Sequence, residues 1–164
     1  MANSFEYEML KAFRNYLQGQ AVVSRDKQAK ITSQDVDIKI QSAMYQNVGI
    51  ECKSIKENAS SKLYFSQHFS ESDGVHQVEN ITSWLEMSGN LGLLAIEVRR
   101  GQGTPKEAYL MKWGAVEQAY RNGGYGFGLD GLSEMENVKR LERTNQEYVV
   151  DEETWNWIQE GDKK

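Results

Sequence analysis

An α/β domain, in which helices pack against a mixed β-sheet, is the fold class that the sequence predicts. Helical and strand-like hydrophobic periods alternate along the chain in the order helix, strand, strand, strand, helix, strand, strand, helix. In addition, LGLLAIEV at 91–98 is almost entirely apolar, which is typical of a central strand covered on both faces. These two observations predict one sheet with helices against it.

The first predicted element is a helix. Residues 4–18 carry apolar side chains at helical spacing. Asn3 is the predicted N-cap, and Glu6 stands three residues later, where a capping box places its acid. Gly19 follows as the predicted stop, since glycine commonly ends helices.

Three strands are predicted next, at 21–25, 36–44 and 48–55. The second alternates apolar and polar residues as a half-buried strand does. The short turn after it predicts that the last two strands form an antiparallel pair. The polar segment at 56–74 is then predicted to be a loop, either disordered or functional at this length.

The second half of the chain repeats the alternation of helices and strands. The predicted elements are a helix at 76–89, strands at 91–98 and 108–113, a helix at 113–124 and a short helix near 152–159. The length of 164 residues predicts one domain. Within it, we expect a main part at 1–129 and an acidic C-terminal extension at 130–164.

Charge is unevenly distributed along the chain. The formal net charge is −5, which by itself disfavours nucleic-acid binding. Acids and bases balance up to residue 129, however, so the whole excess of acid lies in 130–164. A basic run with few acids falls within the balanced part: Arg25, Lys27, Lys30, Lys39, Lys53, Lys56 and Lys62. Such a face is compatible with a phosphate backbone as partner.

Several protein classes are disfavoured by composition. The single cysteine, Cys52, excludes an internal disulfide and a cysteine-rich zinc site. The N-terminal stretch has acids where a signal peptide needs basic residues, and no window approaches the ~18 apolar residues of a membrane span. We therefore expect a cytoplasmic protein with no membrane partner.

Three charged residues on two adjacent predicted strands form the main candidate site. Glu51 and Lys53 are two apart on a strand, so they share one face, and Asp37 lies on the neighbouring strand. Carboxylate oxygens suit Mg²⁺, and a lysine beside them can orient water and offset charge on a phosphate. The alternative is a surface ion pair between Glu51 and Lys53 on an edge strand.

In the order of these motifs, the chain resembles the PD-(D/E)xK nuclease superfamily, and within it the archaeal Holliday junction resolvases and bacterial RecU. The resemblance covers roughly residues 5–113. Its matching pieces are Glu8 in the first helix, AVVSR at 21–25, Asp37 in VDI, ECKS at 51–54, HQ at 76–77 and the apolar strand at 91–98. Val36 replaces the proline that the family usually has before the aspartate.

The resemblance implies a restriction-endonuclease-like fold, with 1–129 as the nuclease domain, and a set of catalytic residues. Asp37, Glu51 and the Cys52 backbone carbonyl would be metal ligands, and Glu8 would complete the acidic cluster. Lys53 would be the catalytic lysine. Gln77 would support the site from its helix. The implied cofactor is Mg²⁺, with Mn²⁺ able to substitute, and no small-molecule cofactor is expected.

The resemblance also implies a substrate and a partner. The expected substrate is DNA, most specifically a four-way junction in recombination and repair, cut by a homodimer. A protein with this substrate would be associated with the nucleoid, or lie in the host cytoplasm if the source is viral. The candidate DNA contacts are Arg25, Lys27, Lys30, Ser33, Lys56 and Lys62. The apolar and aromatic residues of 108–127 are a candidate dimer surface. Two other functions remain open: a restriction-type or repair endonuclease of the same fold, and a non-catalytic DNA-binding module.

Each of several residues also has a plainer interpretation. Glu8 lies at the edge of the apolar face of the first helix, so a solvated surface glutamate is an equally good interpretation. If Glu8 is not a ligand, Glu6 is the second choice for the acid that this helix contributes. Gln77 can be a first-turn polar residue. His68 and His76 are interpreted as loop residues because no third metal ligand is suitably spaced.

Three other features are interpreted without a catalytic role. Cys52 is expected to be a buried thiol on the face opposite Glu51. The G-x-G-x-x-G pattern at 126–131 follows a predicted helix and not a strand, so we interpret it as a loop and not as a dinucleotide site. Arg99 and Arg100 are either turn residues or phosphate contacts.

Overall fold

The computed structural model of the chain describes residues 4–25, 36–57 and 61–162. Its helices and strands, in chain order, are α1 Phe5–Tyr16, β1 Val22–Arg25, β2 Ile38–Gln41, β3 Val48–Lys56, β4 Lys62–Tyr64, α2 Phe65–His68, β5 Glu71–Ser72, β6 Val75–His76, α3 Gln77–Ser88, β7 Leu91–Arg99, β8 Glu107–Lys112, α4 Trp113–Arg121, β9 Gly126–Gly128, β10 Val138–Arg140, β11 Glu142–Thr144, β12 Glu147–Val149 and α5 Glu152–Gln159. Among these residues no helix is long and apolar enough to cross a membrane.

Six strands form the main sheet, in the spatial order β1-β2-β3-β7-β8-β10. The neighbours β3 and β7 run parallel, and the other neighbouring pairs run antiparallel. The predicted mixed sheet with flanking helices is therefore confirmed, as is the antiparallel pairing of β2 with β3. The prediction of a central, doubly covered β7 is also confirmed, because six consecutive residues from Leu93 to Val98 are buried.

Helix α1 has the predicted extent but a different cap. The Ser4 side chain accepts a hydrogen bond from the Tyr7 backbone N–H, so Ser4 is the N-cap. Asn3, the predicted cap, lies outside the described residues. Because the cap is Ser4, the third helical residue is Tyr7, and Glu6 does not occupy the capping-box position.

Two hydrophobic clusters cover the two faces of the sheet. On one face α1 and α5 pack against the strands, with Phe13 and Trp155 fully buried. On the other face α3 and α4 contribute Ile81 and Val116. The backbone of β3 alternates between these faces, because Val48 and Ile50 belong to the α1 side whereas Ile55 belongs to the α3 side.

Two segments predicted to be loops contain strands. The 56–74 segment holds β4, α2 and β5, and the glycine-rich stretch at 126–131 begins with β9, which pairs antiparallel with β4. Gly126 has φ of 139°, and a Cβ on it would lie 1.9 Å from the Leu63 carbonyl oxygen. Only glycine allows this close approach, so its role in the motif is structural.

The acidic segment at 130–164 contributes directly to the sheet and the core. Strand β10 pairs with β8 at the edge of the main sheet, and β11 and β12 form a separate hairpin. Helix α5 lies at the predicted position and places Trp155 between Phe13 and Tyr45. Residues from this segment therefore complete the face that α1 covers.

Candidate active site

Asp37 stands immediately before β2 and next to the middle of β3. Its Oδ2 accepts a 2.9 Å hydrogen bond from the backbone N–H of Cys52. The register that pairs Ile38 with Ile50 places Asp37 opposite the Glu51–Cys52 step of the neighbouring strand. The hairpin predicted from the sequence thus brings the two acids together.

Glu51 projects from β3 into the α3 side of the sheet and is almost completely buried, with 3% of its surface exposed. Its Oε2 accepts a 2.9 Å hydrogen bond from Gln77 Nε2 and lies 3.2 Å from Lys53 Nζ. Its carboxyl group also shares a hydrogen bond with Asp37. Glu51 is therefore the centre of the group, with three predicted site residues around it.

The environment of Glu51 strongly disfavours its charged form. Burial, together with the neighbouring Asp37 carboxylate, raises the pKa of Glu51 to about 8, and the positive charge of Lys53 opposes that rise. An acid with such a pKa holds its proton near neutral pH unless a cation compensates the charge. Strongly shifted groups of this kind concentrate at functional sites.

Lys53 and Gln77 are held in one orientation by the loop before α3. Gln77 Oε1 accepts hydrogen bonds from Lys53 Nζ at 3.2 Å and from the Ser70 backbone N–H at 3.1 Å. The Lys53 Nζ also lies 4.6 Å from the centre of the Phe69 ring, a cation–π contact. Because the oxygen of the Gln77 amide is occupied in this way, its nitrogen is directed at Glu51.

The start of α3 is fixed by His76. The His76 ring accepts from the Val78 N–H, the Glu79 carboxylate accepts from the His76 N–H, and the other ring nitrogen contacts the Phe65 carbonyl oxygen. This capping box holds Gln77, the first residue of the helix, against β3. His68 likewise caps locally, accepting from the Tyr64 N–H. Both histidines thus have structural roles.

Glu8 has cationic partners away from the Glu51 group. Its carboxylate lies 3.2 Å from Lys106 Nζ and 3.7 Å from Arg143. Lys106 also approaches Glu97, which is buried among Ser54, Tyr148 and the α1-side core. In the part of the chain that the structure describes, no three His, Cys, Asp or Glu side chains form a metal-binding group. The predicted cluster completed by Glu8 is therefore not formed.

Glu6 is an α1 carboxylate near Arg25 and near Cys52 of β3. It lies 3.9 Å from Arg25, and Arg25 is the register partner of Ile38, the residue after Asp37. The charge of Glu6 also contributes to raising the pKa of the Cys52 thiol, although burial is the main cause. The sequence ranks Glu6 behind Glu8, because a capping-box position already explains an acid at residue 6.

The predicted DNA contacts are spread along the chain. Arg25 ends β1 beside the Asp37 loop, Lys56 ends β3, and Lys62 begins β4, where its Nζ lies 4.9 Å from the Tyr125 ring centre. The remaining three, Lys27, Lys30 and Ser33, lie outside the described residues. Arg100 is tied to acidic partners, among them Glu57 and Glu107.

The donor set at Asp37 and Glu51 suits a hard divalent cation. Two carboxylates are what Mg²⁺ usually takes from a protein, since water and phosphate oxygens supply the rest of its coordination shell. Burial, and after it the Asp37 carboxylate, raise the pKa of Glu51 despite the positive charge of Lys53, so a bound cation would stabilise the charged form of Glu51. On both grounds the residues present fit a metal ion, and the Cys52 backbone carbonyl stays a predicted third ligand.

The surface ion-pair interpretation of Glu51 and Lys53 does not describe this site. The two groups do form an ion pair, but their side chains are only 4% and 16% exposed, and Gln77 contacts both. Cys52, between them in sequence, packs with the α1-side core, as expected of a buried thiol on the opposite face.

The candidate dimer surface at 108–127 is mostly interior. Strand β8 lies between β7 and β10, so its residues Leu110 and Met111 are fully buried, and Val116 of α4 is buried as well. Tyr125 is the large side chain of this range that is mainly exposed, at 53%. The apolar character of the segment thus reflects core packing.

The observed mixed sheet flanked by helices agrees with the α/β fold class predicted from the sequence, and it brings acids from two adjacent strands beside a lysine on one of them. No protein-family model and no curated protein matches the chain. Among solved structures it is similar to the 1.6 Å structure of Hjc from Archaeoglobus fulgidus, a Holliday junction resolvase from an archaeal hyperthermophile. The similarity covers 93% of this chain and 89% of that chain, with 15% sequence identity and a TM-score of 0.41.

Proposed function

We propose that the protein is a metal-dependent DNA endonuclease that resolves Holliday junctions by phosphodiester hydrolysis. The observation that carries this proposal is the contact of Asp37, Lys53 and Gln77 with the buried Glu51 carboxylate. A purely structural ion pair needs neither a second acid nor a buried carboxyl of raised pKa. A metal site accounts for both features, because a bound cation would compensate the charge of two neighbouring carboxylates in a buried place.

Asp37 and Glu51 would hold Mg²⁺, or Mn²⁺ in its place. The bound metal would lower the pKa of a coordinated water and offset charge on the phosphate. Lys53 would orient the attacking water, since its Nζ is fixed by Gln77 Oε1 and by the Phe69 ring. Gln77 is a positioning residue, because it acts through Glu51 and Lys53.

The substrate proposal rests on the resemblance of the sequence motifs and on symmetry. A four-way junction presents two equivalent strands, so a twofold homodimer with two sites would cut both. The DNA contacts would include Arg25, which is near Asp37, and Lys56 at the end of β3. The protein would act in DNA recombination and repair.

The experiment incubates the purified protein with a labelled four-way junction and with a linear duplex, each in Mg²⁺, Mn²⁺ or EDTA. Symmetric nicks on the junction alone, dependent on the metal, support the proposal. Cutting of the linear duplex would instead favour a restriction-type or repair endonuclease. Binding without cleavage under every metal condition would favour a non-catalytic DNA-binding module and contradict the proposed activity.

A further inference from the structure

A basic pocket lies outside the Glu51 site, at the ends of the parallel strands β3 and β7. It is a cavity of about 350 Å³, lined by Lys56, Arg99, Arg100, Gly101, Thr104 and Lys106. Lys56 and Arg99 are register partners, so their backbones lie side by side at the same edge of the sheet. The loop between β7 and β8 closes the other side of the pocket.

Two of the four cations in this pocket are already neutralised. Arg100 forms ion pairs with Glu57 and Glu107. Lys106 forms ion pairs with Glu8 and Glu97. These two side chains therefore build the wall of the pocket and add little net charge to it.

The other two cations, Lys56 and Arg99, have no acidic partner among the residues that the structure describes. The Arg99 Nε is buried and has no hydrogen-bond acceptor there. A buried guanidinium N–H without an acceptor is unfavourable, because it has lost water and gained nothing in exchange. An oxyanion in the pocket would neutralise both charges and offer acceptors to the Arg99 guanidinium group.

We propose that this pocket binds a phosphodiester group of a nucleic-acid strand. Arginine suits phosphate because its planar donors can make paired hydrogen bonds, and Lys56 adds a point charge beside it. The volume of the cavity is many times the ~30 Å³ that one water molecule occupies in the liquid, so the pocket has room for more than a single phosphate group. The proposal rests on the proposed function, since it extends the DNA contact beyond the cleavage site.

The distance between this pocket and the Glu51 site allows one nucleic-acid strand to contact both. Glu51 and Lys56 are five residues apart on β3, which corresponds to about 17 Å along an extended strand. Successive residues of β3 alternate between the two faces of the sheet, so Lys56 faces the α1 side and Glu51 the α3 side. A nucleic-acid strand that contacts both residues would therefore cross the sheet where β3 and β7 end. The pocket would then hold a phosphate some nucleotides away from the one that is cut.

The test measures DNA binding in EDTA, where no cleavage occurs. The affinity of Arg99→Gln, Lys56→Gln and the double variant for a labelled junction is followed by fluorescence anisotropy over a range of salt concentrations. Each lost phosphate contact should lower the slope of log K against log salt by about 0.9. Arg121→Gln is the matched control, because Arg121 is an exposed arginine of α4 paired with Glu117. Its slope should equal that of the wild type.

A second arm observes Arg99 directly in the wild-type protein. Inorganic phosphate and a thymidine dinucleotide are titrated into the ¹⁵N-labelled protein, and the arginine Nε–H signals are followed by NMR. We expect the Arg99 signal to shift saturably with the dinucleotide. Arg99→Lys keeps the charge and should retain most of the salt slope, whereas Arg99→Gln should not.

The outcomes separate this proposal from the proposed activity. DNA binding with unchanged slopes for Arg99→Gln and Lys56→Gln overturns the pocket and leaves the nuclease proposal standing. Reduced slopes in a protein that never cleaves support the pocket and overturn the nuclease proposal. If Arg99 shifts with inorganic phosphate while the slopes are unchanged, the site belongs to a small phosphorylated ligand, and the nucleic-acid assignment is overturned.

Discussion

Gln77 Nε2 donates a 2.9 Å hydrogen bond to Glu51 Oε2, so the first residue of α3 contacts a carboxylate in the middle of β3. The same amide accepts from Lys53 Nζ and from the Ser70 N–H. One buried glutamine thus links the acid, the lysine and the loop before the helix.

Gln77→Ala should impair both folding and the site. The change removes the amide oxygen that accepts from the Ser70 N–H and from Lys53 Nζ, which keeps its contact with Glu51, at about 0.5–1.5 kcal/mol for each lost hydrogen bond in the free energy of unfolding. It should also reduce metal affinity or cleavage rate about 10–100-fold, as loss of a positioning partner typically does. Urea unfolding and single-turnover cleavage measure the two effects. Gln118→Ala, at an exposed position of α4, is the control and should change neither.

The stability of the metal-free protein should fall as pH rises from about 4.5 to about 8. The folded pKa of Glu51 is raised above its unfolded value of 4.5 to about 8, so the folded state binds more protons across that window. The free energy of unfolding therefore decreases with pH, by at most about 1.4 kcal/mol per unit from this one group. Urea unfolding in EDTA at several pH values measures the slope.

Two comparisons make the pH prediction specific. Glu51→Gln should abolish this part of the slope, whereas Glu136→Gln, at an exposed position, should leave it intact. Mg²⁺ should restore stability near pH 8, because it binds the charged carboxylates of the folded state. An identical slope in Glu51→Gln and wild type would mean that Glu51 is not the titrating group.

Glu97→Ala should destabilise the fold without affecting the metal site. Glu97 is buried on the α1 side, where it accepts from Ser54 Oγ at 2.7 Å and from the Tyr148 hydroxyl at 2.8 Å. Removing one member of a buried charged network typically costs about 3–5 kcal/mol in stability. Calorimetric titration with Mn²⁺ at a temperature where the variant is folded should give wild-type affinity. A weakened metal site would show that Glu97 is a ligand.

The two acids of α1 should differ in their effects. Glu8→Gln should leave Mn²⁺ affinity within about twofold of wild type, because Lys106 and Arg143 hold Glu8 away from the Glu51 group. Glu6→Gln should weaken Mn²⁺ binding up to about tenfold, since the charge of Glu6 acts on Cys52, the residue between Glu51 and Lys53. If Glu8→Gln weakened Mn²⁺ binding more than Glu6→Gln did, Glu8 would be the ligand, as the sequence resemblance implies.

Much of the fold could be predicted because the longer helices and strands show a clear hydrophobic periodicity in the sequence. The strand β3 and the helices α1 and α3 extend over nine to twelve residues, so their periods are visible in the sequence. The strands β4, β9, β10 and β12 have three residues each, too few to show a period of two. Their positions depend on partners far along the chain, such as Leu63 for Phe127.

The candidate site was predictable to different degrees. A period of two places Glu51 and Lys53 on one face, and the short β2–β3 turn brings Asp37 beside them. The contact of Gln77 depends on how α3 crosses the sheet, so only the family resemblance named it. The separation of Glu8 from the site depends on Lys106 and Arg143, which are far from it in sequence. No local pattern encodes those long-range ion pairs.

The central claim is that Asp37 and Glu51 form a metal site for DNA cleavage. Single-turnover cleavage of a labelled four-way junction in Mg²⁺ by wild type, Asp37→Asn and Lys53→Met tests it most directly. Asp130→Asn, in which Asp130 is 81% exposed at its side chain, is the control. We predict metal-dependent cleavage by wild type and the control, and losses of at least about 100-fold in the two site variants. Cleavage by Asp37→Asn and Lys53→Met at the wild-type rate would contradict the claim.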